Sequence, residues 1–95
     1  MSENYTVEHN EASHRYVIEV DGQQAGFANY HESGDVRDFN HTVIDPAFRG
    51  QGLSGKLIKE ALDDTRAAGK QIVPSCSAVE NFLSKNPDYA NLVAR

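Results

Sequence analysis

The run Arg49-Gly50-Gln51-Gly52-Leu53-Ser54-Gly55-Lys56 has the composition of an anion cradle. Glycines let a backbone turn tightly and let a ligand approach it closely. Apolar residues at helical spacing, Leu53, Leu57, Ile58, Ala61 and Leu62, begin inside the run, so a helix is predicted to start there. The free N–H groups and positive dipole end of a helix start bind phosphate without a basic side chain. Arg49 can add a charge-assisted hydrogen bond. Upstream, Pro46 lacks an N–H and ends the segment that precedes it. The plain alternative is a tight strand-to-helix connection that holds nothing.

Two other residues have proton or group-transfer chemistry. Cys76 stands before a second predicted helix, where the dipole lowers a thiol's pKa. It also suits the role of a small buried hydrophobe. His41 lies on a predicted strand three residues before Ile44, and an imidazole can take a proton near neutral pH. The alternative is a histidine on an ordinary strand face. His31 sits close to a turn and reads as solvated. His9 and His14 are five apart around a predicted hairpin, which is not the helical metal-binding spacing, so no metal is expected. Asp63, Asp64 and Glu80 read as helix faces or caps.

The elements that must position these groups follow from pattern. Residues 15–20 and 25–30 are rich in β-branched and aromatic types and flank Asp21-Gly22, a strong hairpin dipeptide. A turn at residues 33–35 leads to a longer strand, residues 36–44. Strict alternation there puts Phe39, His41 and Val43 on one face and Asn40, Thr42 and Ile44 on the other. Residues 5–8 form a short first strand. The period then changes to helical from Leu53, with Lys56/Glu60 and Lys59/Asp63 one turn apart. Gly69 sits where a left-handed cap belongs, and residues 71–73 form a short strand. Ser77 with Glu80 reads as a capping box for a helix starting near Ala78. Asn86-Pro87 opens a last helical turn. The fold class is therefore α+β: a four-stranded antiparallel meander, a helix, a fifth strand parallel to the fourth, and a C-terminal helix.

A chain of 95 residues with 39% hydrophobic and 24% charged residues suits one domain, residues 1–95. The net charge of -5 argues against nucleic-acid binding and is compatible with a cationic partner such as an amine. The polar start shows no secretory signature. No apolar run approaches the roughly 20 residues of a membrane helix. One cysteine cannot form an internal disulfide, which points to a reducing cytoplasmic location.

Two phosphate-binding patterns fit the glycine run. The nucleotide P-loop needs Gly, four residues, Gly, Lys, then Ser or Thr. Gly50, Gly55 and Lys56 comply, but Leu57 takes the last place and cannot ligate magnesium. The second pattern fits better. Ile44, Pro46, Arg49, Gly50, Gly52, Leu53 and Leu57 match the acetyl-coenzyme A motif of the GCN5-related N-acetyltransferases, which the segment resembles. The family's core signature places Gln or Arg, then Gly, then Gly or Ala; here Arg49, Gly52 and Ser54 stand there, Ser54 being a departure. The strand–helix–strand–helix order from Val36 to Leu83 is also similar to the family, in its smallest branch.

The resemblance implies that acetyl-coenzyme A is the cosubstrate. Arg49, Gly50, Gln51, Gly52, Leu53, Ser54 and Gly55 would hold its pyrophosphate. Thr42, Val43 and Ile44 would bond the pantetheine arm like an added strand. Many members use a tyrosine early in the last helix as the acid. Here Cys76 stands at that pattern's Asn place and Leu83 at its Tyr place, so Cys76 and His41 become the catalytic candidates. The implied acceptor is a small-molecule or peptide amine, and the implied route is transfer within a ternary complex. The missing tyrosine keeps open a coenzyme A-binding module without turnover. Acceptor identity and oligomeric state stay undetermined.

Overall fold

The computed structural model describes residues 5–50 and 52–94. Five strands form one sheet in the order β1-β2-β3-β4-β5. They are β1 (Tyr5–Asn10), β2 (Arg15–Val20), β3 (Gln23–Ser33), β4 (Val36–Ile44) and β5 (Gln71–Val73). The first four pair antiparallel, and β5 pairs parallel with β4. Between β4 and β5 run a 3-10 turn, Pro46–Phe48, and helix α1 (Leu53–Ala67). Helix α2 (Ser77–Lys85) and a second 3-10 turn, Pro87–Leu92, follow. The expected class and order are those observed.

Sequence period explains which faces are buried. In β2, Tyr16, Ile18 and Val20 alternate with half-buried neighbours, as a strand with one covered face requires. The α1 stripe of Leu53, Leu57, Ile58, Ala61 and Leu62 is buried against that face, joined by Ala28, Phe39, Ile72 and Val79. Helix α1 packs across β1 to β5 and touches α2. The opposite face, carrying Arg15, Val17, Phe27, Asn29, Asp38, His41 and Val43, contributes no residue to this core.

Strict alternation fails within β4. The β3–β4 register jumps so that Tyr30 faces Phe39 and Asn29 faces His41, leaving Asn40 without a partner. This is a β-bulge, two residues opposite one. Phe39 is buried in the core. Thr42 and Ile44 pair with Ala28 and Gly26, in line with Tyr16 and Ile18 of β2, so they share the core face. His41 and Val43 are turned to the opposite face. The expected grouping of Phe39 with His41 and Val43 is therefore corrected: the extra residue inverts the pattern beyond Asn40.

The capping box is also corrected. Ser77 is already helical, Cys76 is the N-cap residue, and no side chain caps the helix.

A polar network locks the start of β4. Buried Arg37 donates from Nε to Glu32 at 3.1 Å and from one terminal nitrogen to the Tyr16 hydroxyl at 2.7 Å and the Thr65 hydroxyl at 3.2 Å. Tyr16 donates to Asp64 at 2.5 Å. His9 stacks on Tyr16 with ring centres 4.1 Å apart. Asp64, an exposed residue of the helix face, thus also serves as a structural acceptor. Lys59 and Asp63 form the expected one-turn ion pair at 2.9 Å.

Candidate functional site

The glycine turn is shaped by its backbone. Asp45 caps the 3-10 turn, accepting from the Ala47 amide at 2.9 Å. The chain then passes through Gly50 at φ 84 and Gly52 at φ 72, a left-handed region in which side chains are strained. A Cβ at Gly50, Gly52 or Gly55 would meet nothing within 4 Å. The glycines thus leave open space beside the backbone. Gly52 is the N-cap of α1, no side chain caps that helix start, and its first turn carries no acidic residue. The first N–H groups of α1 have no side-chain acceptor, an arrangement suited to an anion.

A cleft of about 240 Å³ opens at this turn, bounded by Ile44, Phe48, Arg49, Gly50 and Ser54. A second, about 280 Å³, runs from Gly52 and Ser54 to Asn81 and Lys85 of α2. A wider cleft, about 550 Å³, lies along β1 and β2 and is lined by Glu8, Glu11 and Glu19. It has no glycine turn or helix start, and its carboxylates would repel a phosphate. The glycine turn is therefore the better anion site.

Arg49 is exposed and its Nε donates to the Ile44 carbonyl at 3.3 Å. It lies at the mouth of the cleft and partly ties down the strand end. Gln51 lies outside the described residues. Leu53 is buried, so its backbone, not its side chain, belongs to the cradle.

Strand β5 pairs with β4 only over Val36, Arg37 and Asp38. At the next residue, the Phe39 carbonyl accepts from the Cys76 amide at 2.9 Å. Beyond it the strands diverge, leaving an edge of β4 at Asn40, His41, Thr42 and Val43 without a β5 partner. Cys76 stands inside this fork. It is half-buried against the core. Burial pushes its thiol pKa up. The Thr42 hydroxyl and the backbone amides of Ala78, Val79 and Thr42 outweigh that and hold it below the ordinary value. By bond geometry the Thr42 hydroxyl oxygen is buried with no hydrogen-bond partner, so it stands beside the thiol with its bonding capacity open.

His41 follows a different course. It is exposed, and its ring centre lies 6.0 Å from that of Phe27 on the opposite face. Adjacent residues in β4 thus serve opposite sides: Thr42 faces the thiol and His41 faces away from the helices. The structure brings Cys76, Thr42 and the edge of β4 together but does not place His41 beside Cys76. Sequence reasoning missed the Asn40 bulge, and no residue type near it signals one. It also missed Thr42 as the thiol's partner, which the bulge creates. Among the described residues no cluster of His, Cys, Asp or Glu could hold a metal, and no helix is long and apolar enough to cross a membrane.

Residues 15–92 match the model of a family described as GCN5-related N-acetyl-transferase. The chain is 32% identical over 73 residues to an uncharacterised N-acetyltransferase of Methanocaldococcus jannaschii, covering 70% of this chain and 32% of that protein. It therefore spans about a third of that relative's length. It is 25% identical over 83 residues to protein NATD1 of Bos taurus, covering 85% of this chain and 74% of that one. Two solved structures share the fold. A GCN5-like protein of Staphylococcus aureus superposes with a TM-score of 0.71 at 21% identity, covering 94% of this chain and 87% of that one. A GNAT-family protein of Desulfovibrio desulfuricans gives 0.58 at 18%, covering 75% and 52%. With the family model spanning most of the strands and both helices, the chain belongs to the GCN5-related N-acetyltransferase family.

Proposed function

We propose that this protein transfers an acetyl group from acetyl-coenzyme A to an amine within a ternary complex. The observation that carries the reading is the uncapped start of α1 behind Gly50 and Gly52, open to solvent and free of acidic side chains. The residues present suit the cosubstrate. The amides of residues 52–55 receive the pyrophosphate, with Arg49 adding a charge; Gln51 joins them in this reading from its place in the sequence alone. The edge of β4 beyond Phe39, which has no β5 partner, supplies main-chain groups for the pantetheine arm, the Thr42 amide excepted, because it is engaged by the Cys76 thiol. The Ile44 carbonyl is already engaged by Arg49 and contributes less.

When bound, acetyl-coenzyme A supplies a thioester carbonyl activated for attack by an amine. The chain's own groups then have distinct tasks. A main-chain N–H at the fork would serve as donor to the developing oxyanion. Cys76, with its lowered pKa, returns a proton to the leaving thiolate. His41, or a water it orients, takes the proton from the amine on the opposite face. This division suits direct transfer, in which acceptor and donor approach the fork from two sides. A reducing cytoplasmic setting would keep Cys76 a thiol.

Calorimetric titration with coenzyme A and acetyl-coenzyme A tests the reading. Saturable binding to both, with weaker binding of pantetheine lacking phosphates, is expected. An absence of binding at millimolar ligand would overturn it. A second reading, a coenzyme A-binding module without turnover, is favoured by Leu83 at the family's tyrosine place. Binding without release of free coenzyme A across a panel of amines would select it.

A further inference from the structure

The helix-free face of the sheet carries an unpaired charge beside the fork. Asp38 is the last residue of β4 to pair with β5, opposite Val73, and it pairs with His31 on β3. Its neighbours Arg37 and Phe39 point into the core, so Asp38 points to the helix-free side. It is half-buried, and its Oδ1 is buried without a hydrogen-bond partner. Among the described residues it is the only carboxylate with such an oxygen. Asn29, on the same face of β3 and across from His41, also has a buried Oδ1 with no partner. Two acceptor oxygens on adjacent strands thus have no donor.

The other part-buried acids differ. Glu32 is held by Lys70 at 3.0 Å and by Arg37 at 3.1 Å. Asp63 accepts from Lys59 and Tyr89. A buried carboxylate oxygen without a donor is costly unless a ligand or water satisfies it. Arg15 lies on the same face but does not neutralise Asp38. Its guanidinium stacks 4.5 Å over the Phe27 ring, and its Nε is likewise unpartnered.

We propose that Asp38, with Asn29, docks the positively charged head of the acceptor on the helix-free face, and so selects a cation over a neutral amine surrogate. The proposal rests on the acetyl-transfer reading for its purpose, but the docking itself is independent of it. Asp38 sits at the closed end of the fork, and Cys76 enters that fork from the helix side. A cation held by Asp38 therefore meets the fork from the face opposite the glycine turn, beside His41. Asp38 is assigned as a positioning residue, with no part in the transfer itself.

The test is an NMR titration of the labelled protein with n-butylammonium chloride, and in parallel with 1-butanol as its neutral twin. Saturable shifts of the Asp38, Asn29 and Val73 amides with the ammonium and not the alcohol are expected. Asp38→Asn, which keeps the side chain's shape, should weaken that response by about tenfold or more, as loss of a hydrogen bond to a charged group would. Asp38→Glu should restore part of it. Equal responses to ammonium and alcohol, or an unchanged response in Asp38→Asn, would overturn the proposal. A separate arm adds coenzyme A and follows the Gly52 and Gly55 amides. Silence there defeats the acetyl-transfer reading and leaves the ammonium result to stand or fall alone.

Discussion

The two ends of β4 treat their polar groups in opposite ways. At the first end, Arg37 has Glu32, Tyr16, Thr65 and, at 3.7 Å, Asp64 around it. Tyr16 is buried and hydrogen-bonded to Asp64, both of which push its pKa above the ordinary value. On the core side of that end, each of these groups has a partner within the chain. At the far end, Thr42 has a buried hydroxyl with no hydrogen-bond partner, α1 starts with no side-chain cap, and the strand edge has lost its neighbour. Buried polar groups are normally satisfied. The first end therefore reads as architecture, and the second as a place completed by something from outside.

The sharpest way to break this comparison is to cut each end separately. Arg37→Ala removes the centre of the closed network: Tyr16 and Thr65 lose a donor, and Glu32 keeps only Lys70. Leaving the buried Tyr16 and Thr65 hydroxyls short of that donor costs about 1–3 kcal/mol. In a domain of this size that lowers Tm by about 4–8 °C for each kcal/mol. Thermal unfolding checks it, and Tm unchanged within error would show the network to be ornamental. Whatever fraction stays folded should bind coenzyme A as before, because no Arg37 contact reaches the glycine turn.

At the open end Gly52→Val should act the other way, with a smaller loss of stability and a large loss of binding. A β-branched residue at φ 72 is strained by about 1–3 kcal/mol, and its methyls enter the space where a phosphate would approach. Calorimetry on the folded variant should show no detectable coenzyme A binding. Retained affinity would refute the cradle. Arg49→Ala is milder. It should weaken coenzyme A binding by about 1.5–3 kcal/mol, with less effect on pantetheine. Equal effects on both would remove Arg49 from phosphate recognition.

Much of this was legible before any coordinates, and the reason differs between the ends. The glycine turn is local: two glycines, an arginine and a helical period lie within a few residues, so composition alone reveals it. The strands and α1 follow from period for the same reason. The closed network is not local. Tyr16 meets Asp64 across 48 positions and His9 meets Tyr30 across 21, and nothing in either neighbourhood marks the pairing. The Asn40 bulge was hidden for another reason. A strand's two faces are read by counting in twos, and one extra residue is invisible unless its partner strand is known. That single residue decides that Thr42, not His41, faces Cys76.

The smallest expected effect belongs to His9 and sharpens the account of the closed end. Asp64 can only accept at its carboxylate, so His9 donates from Nδ1 at 3.2 Å, while its Nε2 lies 2.5 Å from the Tyr30 hydroxyl, which donates to a neutral ring and accepts from a charged one. Burial lowers the His9 pKa first and the Arg37 charge lowers it further, against the opposite pull of Asp64, Glu11 and Glu32. A histidine whose folded pKa lies below its unfolded value binds fewer protons when folded. Stability then rises with pH and is lost as pH falls through the unfolded value of about 6.5. The carboxylates Glu32 and Asp63, both held below their ordinary range, lose their contribution at more acidic pH, so the two windows separate. Thermal unfolding should show a modest fall in Tm beginning near pH 6.5, ahead of the steeper acid loss. His9→Phe keeps a ring against Tyr16 and removes the titration, and it should flatten only the first part of that curve. A His9→Phe profile that still falls from pH 6.5 would assign the effect to another group and leave the closed network insensitive to the charge of its histidine.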